Sequence, residues 1–457
     1  MRASANWRSS PTLVVVVVCV AVFTDIFLYG LIVPVLPFAL EERIGLSGKG
    51  VQRWSSILLA TYGGSILIGS VFAGWIGDQA CKRTKQLPFL AGMLVAGGAT
   101  LLFSLSKSLG WVLIARILQG LSTALIFTIG YSLLLDTVGN ESIGHALGFT
   151  SMSLSLGLFA GPIVGGFIYD LAGYLAVFGP AFALIVLEIG LRLLLRPTTQ
   201  YTRQAPPCTG PADEHSSLIP GTQVSNANVD QNGPSTVEDH PLSSVVILLH
   251  SPRFAVAMVG MALLNTFMTA FEAVLPIYLH EVFGYKSKQV AVVFLSNTVP
   301  MVFSPVSGAL VDRIGSFGPA LTGFALAGPS MMLLALIQTD TLVNSVLLRV
   351  FLFLFGCSVS LAMPAMMTEI SLATEAVEHA HPGIFGRGAY SQAYGLSNAA
   401  FAGGTLAGPL YAGYLREWFG WNLMVISMGV LSLAMAGLIC GYTGGERTDT
   451  TTERRDL

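Results

Sequence analysis

The stretch of sequence that decides the fold is GFTSMSLSLGLFAGPIVGG, residues 148–166. It lies in a window from Ala146 to Tyr169 without Asp, Glu, Lys or Arg, and this window is long enough to cross a bilayer as a helix. Glycines at this spacing let helices approach closely, and a Gly-Pro step bends a helix where neighbouring groups satisfy the freed backbone. The motif residues are Gly148, Gly157, Gly161, Pro162, Gly165 and Gly166.

The same pattern returns in the second half of the chain, as Gly395-x8-Gly404-x3-Gly408-Pro409-x3-Gly413. Three further pairs are Gly74-x3-Asp78 with Gly308-x3-Asp312, Arg116 with Arg349, and Asp136 with Glu369. Four matches in the same order indicate an internal repeat, and repeated, bent membrane helices are typical of transporters with two related halves.

The composition indicates a membrane protein. Of 457 residues, 53% are apolar and 11% are charged, whereas soluble domains carry about 25% charged residues. Twelve charge-poor windows, each of about 20 residues or more, run from Leu13–Leu40 to Trp421–Tyr442. We therefore predict an all-α membrane protein whose twelve transmembrane helices form two pseudo-symmetric six-helix bundles.

The polar segments divide the chain into parts. Residues 197–244 are rich in Pro, Ser, Thr, Asn, Gln, Asp and Glu, which predicts a disordered cytosolic linker. It separates an N-terminal bundle, residues 1–196, from a C-terminal bundle, residues 245–443, and a cytosolic tail, residues 444–457, follows. Connections on the side of the termini carry about twice as many Lys and Arg as those on the other side, so we expect both termini in the cytosol.

Several classes of function have no signal in the sequence. A net charge of −2 gives no nucleic-acid signature, and the five cysteines are too scattered to predict a disulfide framework or a metal site. A phosphate-binding loop of the Gly-x4-Gly-Lys-Ser/Thr type does not occur. The sequence therefore favours neither an enzyme nor a cofactor.

The motifs resemble those of the major facilitator superfamily, whose twelve helices surround a central cavity. Gly74-Trp-Ile-Gly-Asp78 with Lys82-Arg83 is similar to the family's loop between helices two and three, although Gln79 and Cys81 replace its usual Arg and Gly. The resemblance implies a cytosolic gate that holds the outward-facing state. Its residues here are Asp78, Lys82, Arg83, Asp136, Asp312 and Arg313.

The motif at residues 148–166 matches the fifth-helix motif of the drug:proton antiporter branch, which implies that this helix faces the C-terminal bundle and controls access. Within that branch, the chain resembles vesicular monoamine transporters and their fungal relatives. The motifs are Asp25-x8-Pro34-x2-Pro37 in the first helix and Asn265-x6-Glu272-x3-Pro276 in the seventh. The chain departs from that group at Tyr62, where Lys is usual, and at Val359 and Asn398, where Asp is usual.

Five charged side chains lie inside the predicted spans: Asp25, Arg116, Glu188, Glu272 and Arg349. A charge in mid-bilayer costs at least about 3 kcal/mol, so each needs a partner or a water-filled cavity. Asp25 is a candidate for binding and releasing a proton as its surroundings alternate between dry and wet. The alternatives are a permanent pair with Arg116 and a cap on the bend near Pro34.

Glu272 is a candidate for attracting a cationic substrate, binding a proton, or both, and its alternative is an ion pair with Arg349. The resemblance implies that Arg116 tunes the proton affinity of a neighbouring carboxyl group, with a structural counter-ion as the alternative. We expect a structural role for Arg349, and for Glu188 an ordinary pair with Arg192 one turn later. Candidate cavity aromatics are Tyr29, Tyr62, Phe271, Tyr278, Tyr390 and Tyr394.

These features lead to the prediction of a proton-coupled antiporter that exports a small amphipathic or cationic organic compound, such as a drug or a secondary metabolite. Its partners are the substrate, protons and the lipid bilayer, without nucleic acid. We expect a monomer in the plasma membrane rather than in a vacuolar or vesicular membrane. Two alternatives stay open, a proton-coupled symporter for uptake and a non-transporting membrane sensor.

Overall fold

A computed structural model describes residues 11–79, 86–138, 143–194, 247–380 and 389–442. Every regular element within these ranges is helical. Lys82, Arg83, the linker and the tail lie outside the described residues, so their predicted roles stay predictions. For Asp78, Asp136 and Gly148 the structure describes the helical backbone but not the surroundings of the side chain.

The first half contains six long helices, which we number first to sixth. They are Pro11–Ile32, Lys49–Gln79, Gln86–Leu105, Leu109–Val138, Ile143–Ala172 and Tyr174–Leu194. A short helix, Leu36–Ile44, follows the first and ends at Gly45, where a φ of 78° requires a residue that tolerates the left-handed region.

The second half repeats this arrangement. The seventh helix is Pro252–Phe283, the ninth Phe317–Leu333 and the tenth Leu342–Ala380. The eighth is divided at Phe303 into Ser287–Val302 and Ser304–Ile314, next to prolines that cannot donate a helical hydrogen bond. The eleventh and twelfth lie within Ala389–Tyr442 and meet at Gly420, whose φ is 84°.

The structure contains the twelve long helices that the sequence predicts. Ten stretches are long and apolar enough to cross a membrane. The last of them, Leu396–Tyr442, holds both the eleventh and the twelfth helix, and the second helix, 31 residues long, adds another. Because twelve crossings return the chain to its starting side, Pro11 and Tyr442 lie on one side, which we name the terminal side. The opposite side is the far side.

Each half packs as a bundle. The first helix packs along the fifth, and the fourth along the second and third, while the seventh packs along the eleventh and the ninth along the tenth and twelfth. The two bundles meet along two pairs of helices, the fifth with the eighth and the second with the eleventh. This arrangement leaves a space between the bundles.

Candidate functional site

A cavity of about 720 Å³ lies between the bundles. Its described walls come from the first, second, fourth, fifth, seventh, eighth, tenth and eleventh helices. It reaches from Tyr29 and Glu272 in the middle of the molecule to Tyr131 and Met367 nearer the terminal side. Its volume is in the range of small-molecule sites, about 300–1,000 Å³.

The walls are mainly apolar and aromatic, with scattered hydroxyl and amide groups. Methionines are frequent, namely Met152, Met261, Met268, Met301, Met363 and Met367. Among the described lining residues, Glu272 carries the one carboxyl group, and neither Lys nor Arg occurs. Flexible thioethers adapt to varied apolar shapes, and a carboxylate without a nearby cation repels an anion. The cavity therefore favours a neutral or cationic molecule with an apolar body.

Glu272 and Tyr29 form the far end of this cavity. The Tyr29 hydroxyl donates a hydrogen bond of 2.5 Å to Glu272 Oε2 and so joins the first helix to the seventh. The Tyr29 ring stacks on the ring of Tyr62, with centroids 4.8 Å apart. Since Tyr29 and Glu272 belong to different bundles, the bundles cannot separate at this level without breaking their hydrogen bond.

Asp25 lies buried behind the cavity wall. Thr123 Oγ1 donates to Asp25 Oδ1 at 2.9 Å, and the Tyr62 hydroxyl lies 3.5 Å from Oδ2. The two hydroxyl groups are 3.1 Å apart, and both residues line the cavity. A chain of polar and stacking contacts thus runs from Asp25 through Thr123, Tyr62 and Tyr29 to Glu272.

Arg116 is fully buried near this chain, but it does not pair with Asp25. Its Nη1 donates to Gln119 Oε1 at 3.3 Å, and its guanidinium carbon is 5.2 Å from the ring centroid of Phe103 and 6.0 Å from that of Tyr62. Arg116 Nε and Nη2 have no hydrogen-bond partner within the described ranges. Of the two alternatives for Asp25, the permanent pair with Arg116 is therefore absent.

The other expected pairs of intramembrane charges are also absent. Arg349 Nη1 donates to the carbonyl oxygen of Ser345 at 2.8 Å and to its hydroxyl group, one turn earlier in the tenth helix, and it makes no ion pair with Glu272. Arg349 therefore contacts an earlier turn of its own helix. Glu272 instead accepts a hydrogen bond from Tyr29 of the other bundle.

The prediction of a Glu188–Arg192 ion pair is wrong. Both side chains are buried, and the Arg192 guanidinium carbon lies 5.3 Å from the ring centroid of Phe89 on the third helix. Glu188 Oε1 and Arg192 Nη2 both lack hydrogen-bond partners in the described part of the chain. The i,i+4 spacing brings such groups together on an isolated helix, but here packing against the third helix draws the guanidinium group away.

The far side is closed by polar contacts between the bundles. Arg416 Nη1 donates to Gln52 Oε1 of the second helix at 2.5 Å, across the bundle boundary, while Arg416 Nη2 donates to Glu281 Oε2 of the seventh helix at 2.6 Å, within the C-terminal bundle. The Ser287 hydroxyl donates to the Pro34 carbonyl at 3.3 Å. The sequence-based candidates did not include Gln52, Glu281 or Arg416, although three residues separate Arg416 from the end of the repeated glycine motif.

Replacement of Arg416 by Gln should open the far side more often. The hydrogen bond from Arg416 to Gln52 crosses the bundle boundary and contributes about 1 kcal/mol, so its loss should change the ratio of the two access states roughly fivefold. The measurement is thiol labelling of a cysteine introduced at Ser56, which is buried against the eleventh helix. Lys286→Gln is the matched control, because Lys286 is exposed. Unchanged labelling in Arg416→Gln would contradict this assignment.

The glycines of the fifth-helix motif make contacts of two kinds. A Cβ added at Gly161 would lie 2.7 Å from Phe27 O of the first helix, inside the N-terminal bundle, and Gly157 and Gly165 also face the first helix. At Gly166 an added Cβ would lie 2.5 Å from Ala291 Cβ of the eighth helix, in the other bundle. The fifth helix does face the C-terminal bundle, through Gly166, but the expectation that Gly161 makes this contact is wrong, because Gly157, Gly161 and Gly165 lie on the face that packs against the first helix.

The second motif divides in the same way. Gly404 and Gly408 face the seventh helix within the C-terminal bundle, whereas Gly413 faces Ser56 of the second helix across the bundle boundary. The last glycine of each motif thus lies at a contact between bundles, and both contacts are closed on the far side. The two halves therefore repeat both the glycine motif and the contact that its last glycine makes with the other bundle.

The predicted gate residues that the structure describes on the terminal side are not engaged. Asp312 and Arg313 are exposed at the end of the eighth helix and make no ion pair within the described ranges. Glu369, the counterpart of Asp136, is buried and accepts hydrogen bonds from Arg253 Nε at 2.7 Å and from Ser316 Oγ at 2.8 Å, all within the C-terminal bundle. The cavity lies on this side of the Tyr29–Glu272 contact.

The aromatic residues that were predicted to line the cavity fall into two groups, those on its wall and those packed elsewhere. Tyr29 and Tyr62 line the cavity, but Tyr278 stacks on Trp421 at 3.8 Å between centroids, and Phe271 packs against Phe355. The surroundings of Tyr390 and Tyr394 are not among those that the structure describes. Phe127, Tyr131 and Phe401 also line the cavity and were not predicted.

Known proteins of similar sequence are membrane transporters. The MFS-type transporter ppzB of Metarhizium rileyi is 30% identical over 95% of this chain and 94% of its own length. An uncharacterized MFS-type transporter of Schizosaccharomyces pombe is 30% identical over 98% of both chains. The synaptic vesicular amine transporter of Bos taurus is 23% identical over 80% of this chain, and the match covers 62% of that protein.

Solved structures agree on the fold. The nucleoside transporter NupG superposes with a TM-score of 0.65 at 10% identity, over 95% of this chain and 100% of its own. The human organic anion transporter TETRAN gives 0.61 at 16% identity, over 94% and 99%. The model of the Major Facilitator Superfamily matches residues 18–381. With twelve helices around a central cavity, this chain belongs to the major facilitator superfamily and is a multi-pass membrane transporter, not an enzyme.

Proposed function

We propose that the protein is a proton-coupled antiporter that exports a small amphipathic or cationic organic compound. The observation that carries this proposal is the distribution of charge in and behind the cavity. Glu272 is the carboxyl group on the described wall, and Asp25 is a second carboxyl group separated from the wall by two hydroxyl groups. Buried carboxyl groups without a cationic partner are costly and therefore indicate function.

The cavity supports a substrate with an apolar body and a cationic or neutral head. Stacked tyrosine rings at Tyr29 and Tyr62 offer π faces to a cation, and Glu272 lies at the end of the same surface. The methionine-rich wall suits a body of variable shape. Relatives named as amine transporters support the same chemistry, since amines are cationic at neutral pH.

The two carboxyl groups support coupling to protons. Burial in a medium of low dielectric constant favours the neutral form of a carboxyl group, and access to water favours the charged form. A change from the present far-closed state to a far-open state would break the Tyr29–Glu272 bond and expose Glu272 to water. Proton binding on one side and release on the other would follow.

The proposal includes the orientation of the chain in the membrane and the membrane in which it lies. We place both termini in the cytosol, so that the present state is open to the cytosol and ready to load a substrate. Residues 1–196 and 245–443 form the moving bundles, with residues 197–244 as their linker. The plasma membrane is favoured for export, and relatives in synaptic vesicles make a vesicular membrane the outcome to test by fluorescent localisation.

Replacement of Glu272 by Gln should lower the affinity for cationic substrates about ten- to hundredfold, or about 1.4–2.8 kcal/mol. The same replacement should change the affinity for a neutral analogue of the same shape less than twofold. The reason is that the amide removes the charge but still accepts a hydrogen bond from Tyr29. The measurement is Kd of the purified protein for a matched amine and alcohol. Glu41→Gln, at an exposed carboxylate outside the cavity, is the control. Equal losses for both ligands would mean that Glu272 is structural.

A further inference from the structure

The first and sixth helices bury a second group of polar side chains away from the cavity. Thr24, Glu188 and Arg192 expose 1%, 3% and 5% of their surfaces, and none of them lines the cavity. The Glu188 side chain contacts the Thr24 hydroxyl group, whereas Glu188 Oε1 and Arg192 Nη2 lack a hydrogen-bond partner among the described residues. Unsatisfied buried polar atoms are rare, so a buried carboxyl group with one such atom indicates a function.

The charged groups that face Glu188 are few. Glu188 lies beside Thr24 and interacts electrostatically with Asp25, the next residue of the first helix. Arg192 follows one turn later on the same helix. The third helix, Gln86–Leu105, carries no titratable side chain. Titratable residues of the fifth helix stand at its ends, at His145, Tyr169 and Asp170.

The position of this group suggests a route to Asp25 that bypasses the cavity. Glu188 is six residues from the end of the sixth helix at Leu194, which is about 9 Å along the helix axis from the terminal side. The cavity reaches Asp25 from another direction, through Tyr62 and Thr123. Because Glu188 does not line the cavity, a proton that passed between Glu188 and Asp25 would not pass the substrate.

We propose that Glu188 is a second proton-binding site, which exchanges its proton with Asp25 along the interface between the first and sixth helices. This inference rests on the proposed proton coupling through Asp25. When the proton leaves the Asp25 carboxyl group, the Glu188 carboxylate takes it up, so the pair keeps a net charge of −1 during this transfer. The proton then leaves towards Arg192 and the terminal side while a substrate occupies the cavity.

The test is an infrared titration of the purified protein in D₂O, which detects the carbonyl stretch of protonated carboxyl groups. In the wild type we expect bands from three buried acids, Asp25, Glu188 and Glu272, and the bands of Asp25 and Glu188 should be lost over a broad pH range because coupled groups titrate together. Glu188→Gln should remove one band and narrow the titration of the Asp25 band to that of a single site. Glu188→Asp should keep all three bands and shift one.

Two further variants separate the possible outcomes. Glu369→Gln is the control, because Glu369 is equally buried but forms an ion pair with Arg253 at 2.7 Å, so its replacement should leave the bands unchanged. A wild-type spectrum in folded Glu188→Gln protein, with substrate binding as the folding check, would overturn the inference. Loss of a band in Glu188→Gln but not in Asp25→Asn would keep Glu188 as a proton site and overturn the coupling through Asp25.

Discussion

Replacement of Asp25 by Asn is expected to abolish uphill transport driven by a pH gradient, while downhill movement of the substrate continues. The amide oxygen still accepts the hydrogen bond from Thr123, so the fold should survive. The side chain no longer changes its charge with pH, and the empty transporter can return without a proton. Uptake into proteoliposomes with an imposed pH gradient measures this, and we expect the internal substrate concentration to rise no higher than the external concentration.

The matched control for this experiment is Asp170→Asn. Asp170 is an exposed carboxylate at the far end of the fifth helix, and its replacement should leave accumulation unchanged. If Asp25→Asn accumulates substrate at the wild-type rate, Asp25 does not carry the coupling proton.

Gly161 and Gly166, five residues apart on the fifth helix, should respond to the same substitution in opposite ways. Gly161→Leu should prevent folding, because its Cβ would meet the backbone atoms Phe27 O at 2.7 Å and Leu31 N at 2.9 Å, which cannot move independently. Gly166→Leu should fold, because its clash with Ala291 is relieved when the bundles separate on the far side. Overpacking costs about 1–3 kcal/mol, enough to shift a two-state population by one or two orders of magnitude.

Thiol labelling in a background without the native cysteines measures this shift. A cysteine at Ser56 reports the far side, and one at Thr368 reports the cavity wall nearer the terminal side. Gly166→Leu should increase labelling at position 56 and decrease it at 368, with the protein present in the membrane at the wild-type level. Wild-type labelling on both sides together with normal transport would show that Gly166 is not at a gate.

The fold could be predicted because membrane helices have a local signature. A charge-poor window of sufficient length is expected to form a helix in the bilayer, because a helix satisfies all of its own backbone hydrogen bonds. The repeat of Gly157 and Gly161 as Gly404 and Gly408 identifies the two halves. Asp25 and Glu272 could be selected for the same reason, since an acid within an apolar helix is conspicuous.

The partners of these residues could not be predicted, because they depend on how helices rotate and cross. Periodicity places Glu188 and Arg192 on one face, yet the third helix draws the guanidinium group to Phe89. Asp25 and Arg116 looked like counter-ions, yet Thr123 satisfies Asp25. The contact of Arg416 with both bundles joins residues far apart in sequence and has no local signal.

The central claim is that substrate and protons cross the membrane in opposite directions. The most direct measurement uses proteoliposomes with a trapped pH-sensitive dye, no initial pH gradient and the membrane potential clamped. The added substrate is a quaternary ammonium compound, which cannot itself take up or release a proton. The account predicts that the interior becomes more alkaline as substrate enters, and that Asp25→Asn abolishes this change. Acidification of the interior, or substrate entry without any change in pH, would contradict it.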